Sequence, residues 1–551
     1  MRYVPASLKQ MARFPIPKPG KQNEYRPVSL CHDLYCYIMG VITSFSSAAI
    51  ARSRILHEGL TAYQKGKGCA NLVTTELSFR EDCLENPTPA VQIDEDEEKF
   101  FDRIPVEILL AAMRVNGFPN QGYIEIKASA MEAKTVEIIT AKGVTYARFI
   151  CGLEQGNPDS PTVSNLVIKF KHDVWSVISK EIESLLQKNK THGKESYIFN
   201  SIDKVDGQLI LCKIGYSDDN SKFISVSNEQ DLLALVKYFT QLSGDISMVT
   251  KIGRKSAKCE IQFFNISATM ALKMEKVWST ALSFLDDAPI EEQIPFKIHM
   301  KQAELEKFYA ISNFYNLEEE EQTKWNSIIN AQAHKHLGLS STLGADTSTA
   351  WKKTLEKMNN RVAILKLHRM HASAQQKCFD MLIGSMKSFA PIQTNYPSLE
   401  LRNFDQQIAK TCLKSNGLSK SDCKIRMFLP ECKGGLGFSS TLEMDLISIM
   451  REFEIIANNV ALDSKAFRTR VSALRSYAPT ENIFENQNHA RDALMKMAKY
   501  GIFVRDSCDF ILNDILADLC AKTKRSAVGP PNLGRAQAPY SALSFCLLGK
   551  K

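Results

Sequence analysis

The chain has 551 residues and a formal net charge of +8; with 44% hydrophobic and 24% charged residues it has the make-up of a soluble globular protein, which excludes a disordered chain and little else. The basic surplus suits a nucleic-acid partner without singling one out. Fourteen cysteines, scattered singly from Cys31 to Cys546 with no CxxC pair and no Cys/His cluster at zinc-finger spacing, argue against a disulfide framework or structural zinc and for an intracellular protein, nuclear or cytoplasmic.

From the N-terminus the chain is basic and free of acidic residues up to Glu24, but Pro5, Pro15, Pro17 and Pro19 oppose an amphipathic targeting helix. The uncharged run Leu34 to Ala51 is broken by serines, a threonine and a glycine, so it reads as a helix burying Leu34, Ile38, Val41, Ile42 and Phe45 rather than as a membrane span. Ala90 to Ile93 reads as a short strand that runs into the acidic stretch Asp94 to Glu98, which by itself suggests a solvated loop. Val106 to Val115 is predicted helical, closed by Gly117 and Pro119.

Further along, Gly152 to Pro161 is a glycine-rich turn opening a helix, with Ser160 as N-cap and Pro161 at the first helical position. Gln208 to Ile214 and Lys222 to Val226 form a hairpin with the acidic residues Asp218 and Asp219 at its tip. Beyond about residue 260 the pattern turns helical, over Ala268–Phe284, Trp351–Gln376, Leu442–Asn458 and His489–Tyr500. The stretch after Ala527, with Gly529, Pro530 and Pro531, reads as a flexible tail. An α+β half is thus followed by a helical half.

Two adjacent carboxylates at a hairpin tip repel each other and gain nothing from packing, so Asp218 and Asp219 suggest a cation unless they are merely solvated. They become informative beside Asp96 and the Gly152–Pro161 turn. Asp96 followed by Phe101-Asp102, then Gly152-x-x-Gln155-Gly156-x-x-x-Ser160-Pro161, then Tyr216-x-Asp218-Asp219, in this order, resemble the palm motifs of reverse transcriptases, nearest the non-LTR retroelement and group II intron branch. Flanking segments extend the resemblance: Ile16 to Lys21, Tyr25 to Leu30 and Gln64 to Cys69 resemble fingers motifs, Lys255 to Glu260 the lysine-bearing segment after the catalytic hairpin, His336-Leu337-Gly338 the primer grip, and Gly434 to Gly437 a late glycine motif. Coverage runs from about residue 12 to 440, and specificity falls outside the palm.

The resemblance implies an α+β right-hand polymerase: fingers over 1–87, palm over 88–260, an insertion and primer-grip region over 261–345, a helical thumb and C-terminal region over 346–526, and the tail 527–551. It implies an RNA-directed DNA polymerase of a retrotransposon, joining dNTPs to a DNA primer on an RNA template. Asp96, Asp218 and Asp219 and the backbone carbonyl of Glu97 would hold two Mg²⁺ ions, with Mn²⁺ able to substitute. Lys18, Arg26 and Lys258, with Lys255 as the rival of Lys258, would meet the triphosphate; Gln155 and Gly156 would line the nucleotide and template pocket; Phe101 would exclude a 2′-hydroxyl.

The chain departs from the family in three respects. Glu95 stands where an apolar residue usually precedes the metal-binding Asp, which leaves Asp94 as the competing ligand. The stretch before His336 is long, an insertion around 265–330. No endonuclease or zinc knuckle is recognisable, as in a fragment or decayed copy of a longer element protein. Two other readings compete: an RNA-dependent RNA polymerase, disfavoured by Phe101 and the Gln155-Gly156 turn, and a non-catalytic nucleic-acid-binding remnant.

Overall fold

The structure is a computed structural model. It describes residues 4–17, 25–53, 88–97, 99–132, 134–140, 142–149, 152–192, 210–226, 228–253, 259–283, 296–299, 334–336, 339–341, 348–367, 372–384, 397–415, 425–429, 431–458, 502–506 and 543–547, with scattered positions among 55–83, 318–322 and 496–500. Lys18, Lys255, Lys258, Leu337, Gly338, most of 265–330 past residue 283 and most of His489–Tyr500 lie outside the described residues. The chain divides into two compact units, residues 1–68 with 87–329, and residues 69–86 with 330–551.

The first unit mixes sheet and helix. Strands β1 (Met11–Pro17) and β2 (Tyr25–Cys31) form an antiparallel pair and lead into helix α1 (Asp33–Ser53). Strand β3 (Ala90–Asp96) is followed by the short helix α2 (Phe100–Arg103), α3 (Val106–Val115) and α4 (Glu125–Met131). The hairpin β4 (Lys134–Thr140) and β5 (Gly143–Phe149) joins the first pair in a sheet of order β2-β1-β4-β5, with β1 and β4 parallel. Helix α5 (Ser160–His192) crosses to β6 (Ile210–Tyr216) and β7 (Asp219–Ser225), then α6 (Glu229–Thr250), β8 (Glu260–Phe264), α7 (Ala268–Ser283) and β9 (Phe296–His299). Strands β6-β7-β3-β8-β9 make a five-stranded sheet, antiparallel except for β8 against β9.

Period-2 alternation sorts this sheet into two faces. Val91, Ile93, Ile224, Ile261 and Phe263 point to one side, into a core completed by Trp175 and Ile182 of α5, Leu232, Leu235, Val236 and Phe239 of α6, and Met270, Met274 and Trp278 of α7. Gln92, Asp94 and Asp96 therefore point to the other side. A second core joins Tyr35, Met39 and Ile50 of α1 to Phe100, Leu109, Met113, Leu153 and Val163.

The described part of the second unit is mostly helical: α8 (Ser348–Leu367), α9 (Ala372–Phe379), α10 (Ser398–Ser415) and α11 (Thr441–Asn458), with the pairs β10 (His334–His336)/β11 (Leu339–Ser341) and β12 (Ile502–Asp506)/β13 (Leu543–Leu547). Asp405 of α10 caps α11, accepting from the Thr441 N–H at 2.8 Å and the Ser440 hydroxyl at 2.7 Å. Gln376 of α9 donates to the Gly437 carbonyl at 2.7 Å, which ties the glycine segment to the bundle.

Five expectations change. The acidic run is strand, not loop, as far as Asp96, and Asp94, Glu95, Asp96 and Glu97 are all buried. Helix α1 buries Tyr35, Met39 and Ile50 and exposes Leu34, Ile38, Val41 and Phe45; of the five residues predicted to be buried, Ile42 alone packs, partly, against the core. It is long and apolar enough to cross a membrane by composition alone. The cap of α5 is Asp159, whose carbonyl accepts from Val163, one residue earlier than predicted. Two helices, not one, cover Trp351–Gln376. Within the expected tail, Leu543–Leu547 pairs with Ile502–Asp506, and the sequence Leu-Ser-Phe-Cys-Leu has the alternation of a strand.

Candidate active site

The chemistry-bearing residues converge where β3 ends beside the β6–β7 turn. The register sets Asp96 directly opposite Asp219, and Asp219 opposite Tyr216, so the turn is the two residues Ser217 and Asp218. Ser217 has φ +59, the left-handed conformation that a two-residue hairpin turn demands. Side chains directly opposite on antiparallel strands share a face. Asp96 and Asp219 therefore project together, and the Glu97 N–H, donating to the Asp218 carbonyl at 3.3 Å, closes the corner between β3 and the turn.

Asp94 is on the same face but is already engaged. It accepts from the Ser221 hydroxyl at 2.6 Å, the Gln92 amide at 2.9 Å and the Gln262 amide at 3.3 Å. Asp94 is thus held by three donors inside the sheet, while Asp96 lies two residues nearer the turn. Glu95, on the opposite face, meets the buried Lys222 ammonium at 2.6 Å; Lys222 also donates to the Ser243 hydroxyl and lies over the Trp175 ring. Lys171 of α5 reaches Glu97 at 2.7 Å. The apolar position that Glu95 occupies is thus served by a buried ion pair.

The Gly152–Pro161 turn docks against α2, which follows β3, and against β2. Gly152 (φ +87) lies against the Asp102 backbone and Gly156 (φ +120) against that of Ser29; a Cβ at either would come within 2.5 Å of a carbonyl oxygen, so both conformation and space require glycine. The Ser29 N–H donates to the Gln155 carbonyl at 2.8 Å and the Leu153 N–H to that of Phe101. Arg13 of β1 bridges the same parts, 3.1 Å from Asp102 and 3.3 Å from the Ser29 hydroxyl. Phe100 is core, whereas Phe101 is half-buried, its ring edge-on to Phe100 at 5.4 Å. Gln155 is half-buried and Gly156 exposed. Arg26 is exposed on β2, opposite Ile16. His336 ends β10, in the second unit.

Sequence reading missed Arg13, Lys127, Lys171 and Lys222. Each partners a carboxylate between 32 and 127 positions away, and nothing local signals such a pairing. Among the described residues, no three His, Cys, Asp or Glu side chains are gathered closely enough to hold a metal ion. Donor type and register nevertheless suit a hard divalent cation: oxygen ligands only, and two like charges facing each other on one side of the sheet.

No family model matches the sequence, and no curated protein does. Among solved structures, the chain is similar to telomerase from Candida tropicalis in its apo form, with 11% identity, TM-score 0.36, 84% of this chain and 69% of that one covered. It is also similar to the Candida tropicalis telomerase in complex with a TWJ fragment of telomeric RNA, with 15% identity, TM-score 0.33, and 85% and 65% covered. A third, apo Candida tropicalis telomerase truncated from its C-terminal domain, aligns with 49% of this chain at 14% identity and TM-score 0.31; the chain spans 52% of that structure's length.

Proposed function

We propose that the chain is an RNA-directed DNA polymerase, a nucleotidyltransferase of the non-LTR retrotransposon kind that joins dNTPs to a DNA primer on an RNA template. The observation that carries the reading is the register that pairs Asp96 with Asp219 beside a two-residue turn holding Asp218. Asp96, Asp218 and Asp219, with the Glu97 carbonyl, would hold two Mg²⁺ ions. Such ions stabilise the attacking and leaving oxygens of an in-line phosphoryl transfer.

The chain's own residues would bind and orient. Arg26, exposed on β2, and Lys18 would neutralise the triphosphate, and Lys258 would meet the pyrophosphate. Gln155 and Gly156 would support the base and sugar. His336, Leu337 and Gly338 would hold the primer strand.

The test is extension of a DNA primer on an RNA template by purified protein with Mg²⁺, alongside Asp218→Asn. Extension by the wild type, and none by a variant that still binds template–primer, is the expected result. Binding rests on phosphate contacts elsewhere and survives the substitution. Extension by the variant at the wild-type rate would sink the assignment, and an inactive wild type would leave the nucleic-acid-binding remnant.

Phe101 supplies a second expectation. A ring under the ribose excludes a 2′-hydroxyl by overlap and offers no hydrogen bond in return. Phe101→Ala should therefore raise ribonucleotide kcat/KM by orders of magnitude with a modest loss for dNTPs. Since the ring is half-buried against Phe100, the competing role is packing. In that case both activities fall together, stability drops by about 3–5 kcal/mol, and the dNTP/rNTP ratio stays put.

A further inference from the structure

The glycine turn beside the site has little regular structure of its own, yet its two ends converge on one buried cation. Lys127 of α4 is fully buried. Its ammonium lies 2.6 Å from Asp159, at the end of the turn, and 3.9 Å from Glu154, immediately before Gln155. Both carboxylates are themselves fully buried. Asn157, inside the turn, donates to Glu154 at 3.3 Å and to the Tyr35 hydroxyl of α1 at 3.4 Å. Burial works against a charge on Lys127, but the attraction of Asp159 outweighs it and holds the ammonium above the ordinary lysine range. Burial likewise pushes the neighbouring Tyr35 phenol up to about 12, so it stays a neutral hydroxyl.

Two carboxylates taken wholly out of water are tolerable only where a cation gathers them. Here that condition fixes the turn. Glu154 and Asp159 bracket Gln155 and Gly156, and both are held to α4, a helix separate from β2, α1 and α2, which the turn also touches. Between these anchors, the Gln155 carbonyl meets the Ser29 N–H at 2.8 Å, and Gly156 is pressed against the Ser29 carbonyl.

We propose that Lys127 is a positioning residue: through Glu154 and Asp159 it sets the placement of the Gln155-Gly156 turn, and so the fit of the incoming nucleotide. The role in nucleotide fit rests on the polymerase reading; the anchoring of the turn does not. Lys127 touches no substrate. Its effect belongs in the KM for dNTP rather than in kcat or in primer–template affinity.

Two folded variants test this. Asp159→Asn is isosteric and weakens one anchor. The neutral combination Lys127→Met, Glu154→Gln and Asp159→Asn removes all three charges together at nearly unchanged volume, so that no uncompensated buried charge is left behind. The expected result for the combination is a melting temperature close to wild type, amide exchange at Ser29 faster by about 10-fold, and a dNTP KM raised by about 10-fold with kcat and template–primer Kd little changed. Asp159→Asn should move the same two quantities less. A merely structural role predicts that restoring the melting temperature restores both.

Ser29 exchange and dNTP KM equal to wild type in either stable variant would overturn the proposal. Faster exchange with an unchanged KM overturns it too, because the turn would then be loosened without consequence for the nucleotide. A wild type inactive in primer extension sinks the polymerase reading alone, and with it the nucleotide role; Ser29 exchange still decides whether Lys127 anchors the turn.

Discussion

Asp96→Asn should lose primer extension by several orders of magnitude, whereas Asp94→Asn should lose little extension but lower the melting temperature. The two carboxylates sit two positions apart on one face of β3, in opposite surroundings. Asp96 faces Asp219 across the strand pair, at the end of β3 beside the turn that holds Asp218. Replacing it with Asn keeps the shape of the side chain and takes away the charge that would hold a divalent cation. Asp94 accepts from Gln92, Ser221 and Gln262, all buried. An amide keeps one acceptor and turns its NH₂ toward donors, at a cost of about 1.5–3 kcal/mol for a hydrogen-bonded charge. Thermal melts without metal and single-turnover extension per folded molecule separate the two effects. Full activity in Asp96→Asn, with loss in Asp94→Asn, would move the ligand by two residues and take Phe101 out of the position from which it could exclude a 2′-hydroxyl.

The acidic run shows where sequence reading stops. The strand-like runs Gln208–Ile214 and Lys222–Val226 made the hairpin legible, short of the observed Ile210–Tyr216 and Asp219–Ser225 only at its tip, and glycine chemistry did the same for the turn at Gly152–Pro161. Asp94 to Glu97, by contrast, looks like a solvated loop to any local rule, because what permits its burial is remote: Lys222 for Glu95, Lys171 for Glu97, and Ser221 and Gln262 for Asp94. Such cations read locally as surface lysines, since an isolated Lys is mostly solvated. Helix α1 failed for another reason. It is apolar nearly all round, so its periodicity fits either face, and only the partners Phe100, Leu109 and Leu153 select Tyr35, Met39 and Ile50. At the C-terminal end, Pro and Gly near residue 530 outweighed a clear alternation at Leu543–Leu547.

Behind the site, the charges on the core-facing side of the sheet do not balance, and this makes stability depend on pH. Lys222 and Lys171 have Glu95 and Glu97 at 2.6 and 2.7 Å. Lys213, opposite Lys222 across β6 and β7, adds a third buried cation to two carboxylates. Burial, then repulsion from Lys222, bring its ammonium down to about 7, with Glu95 only partly opposing. The unfolded chain keeps this lysine protonated to its ordinary value of 10.5. Between about pH 7 and 10.5 the unfolded state therefore binds the extra proton, and stability rises with pH by up to about 1.4 kcal/mol per unit. Below about 7 both states are charged, the slope vanishes, and the full cost of the buried charge is carried. Lys213→Met removes that cost while keeping the aliphatic stem. Its melting temperature should exceed that of the wild type at pH 6.5, with the gap narrowing steadily toward pH 9.5 as the wild-type lysine sheds its proton in the folded state. A gap that is absent at pH 6.5, or constant across the range, would mean that Lys213 is neutralised by another group and that the cluster is balanced after all.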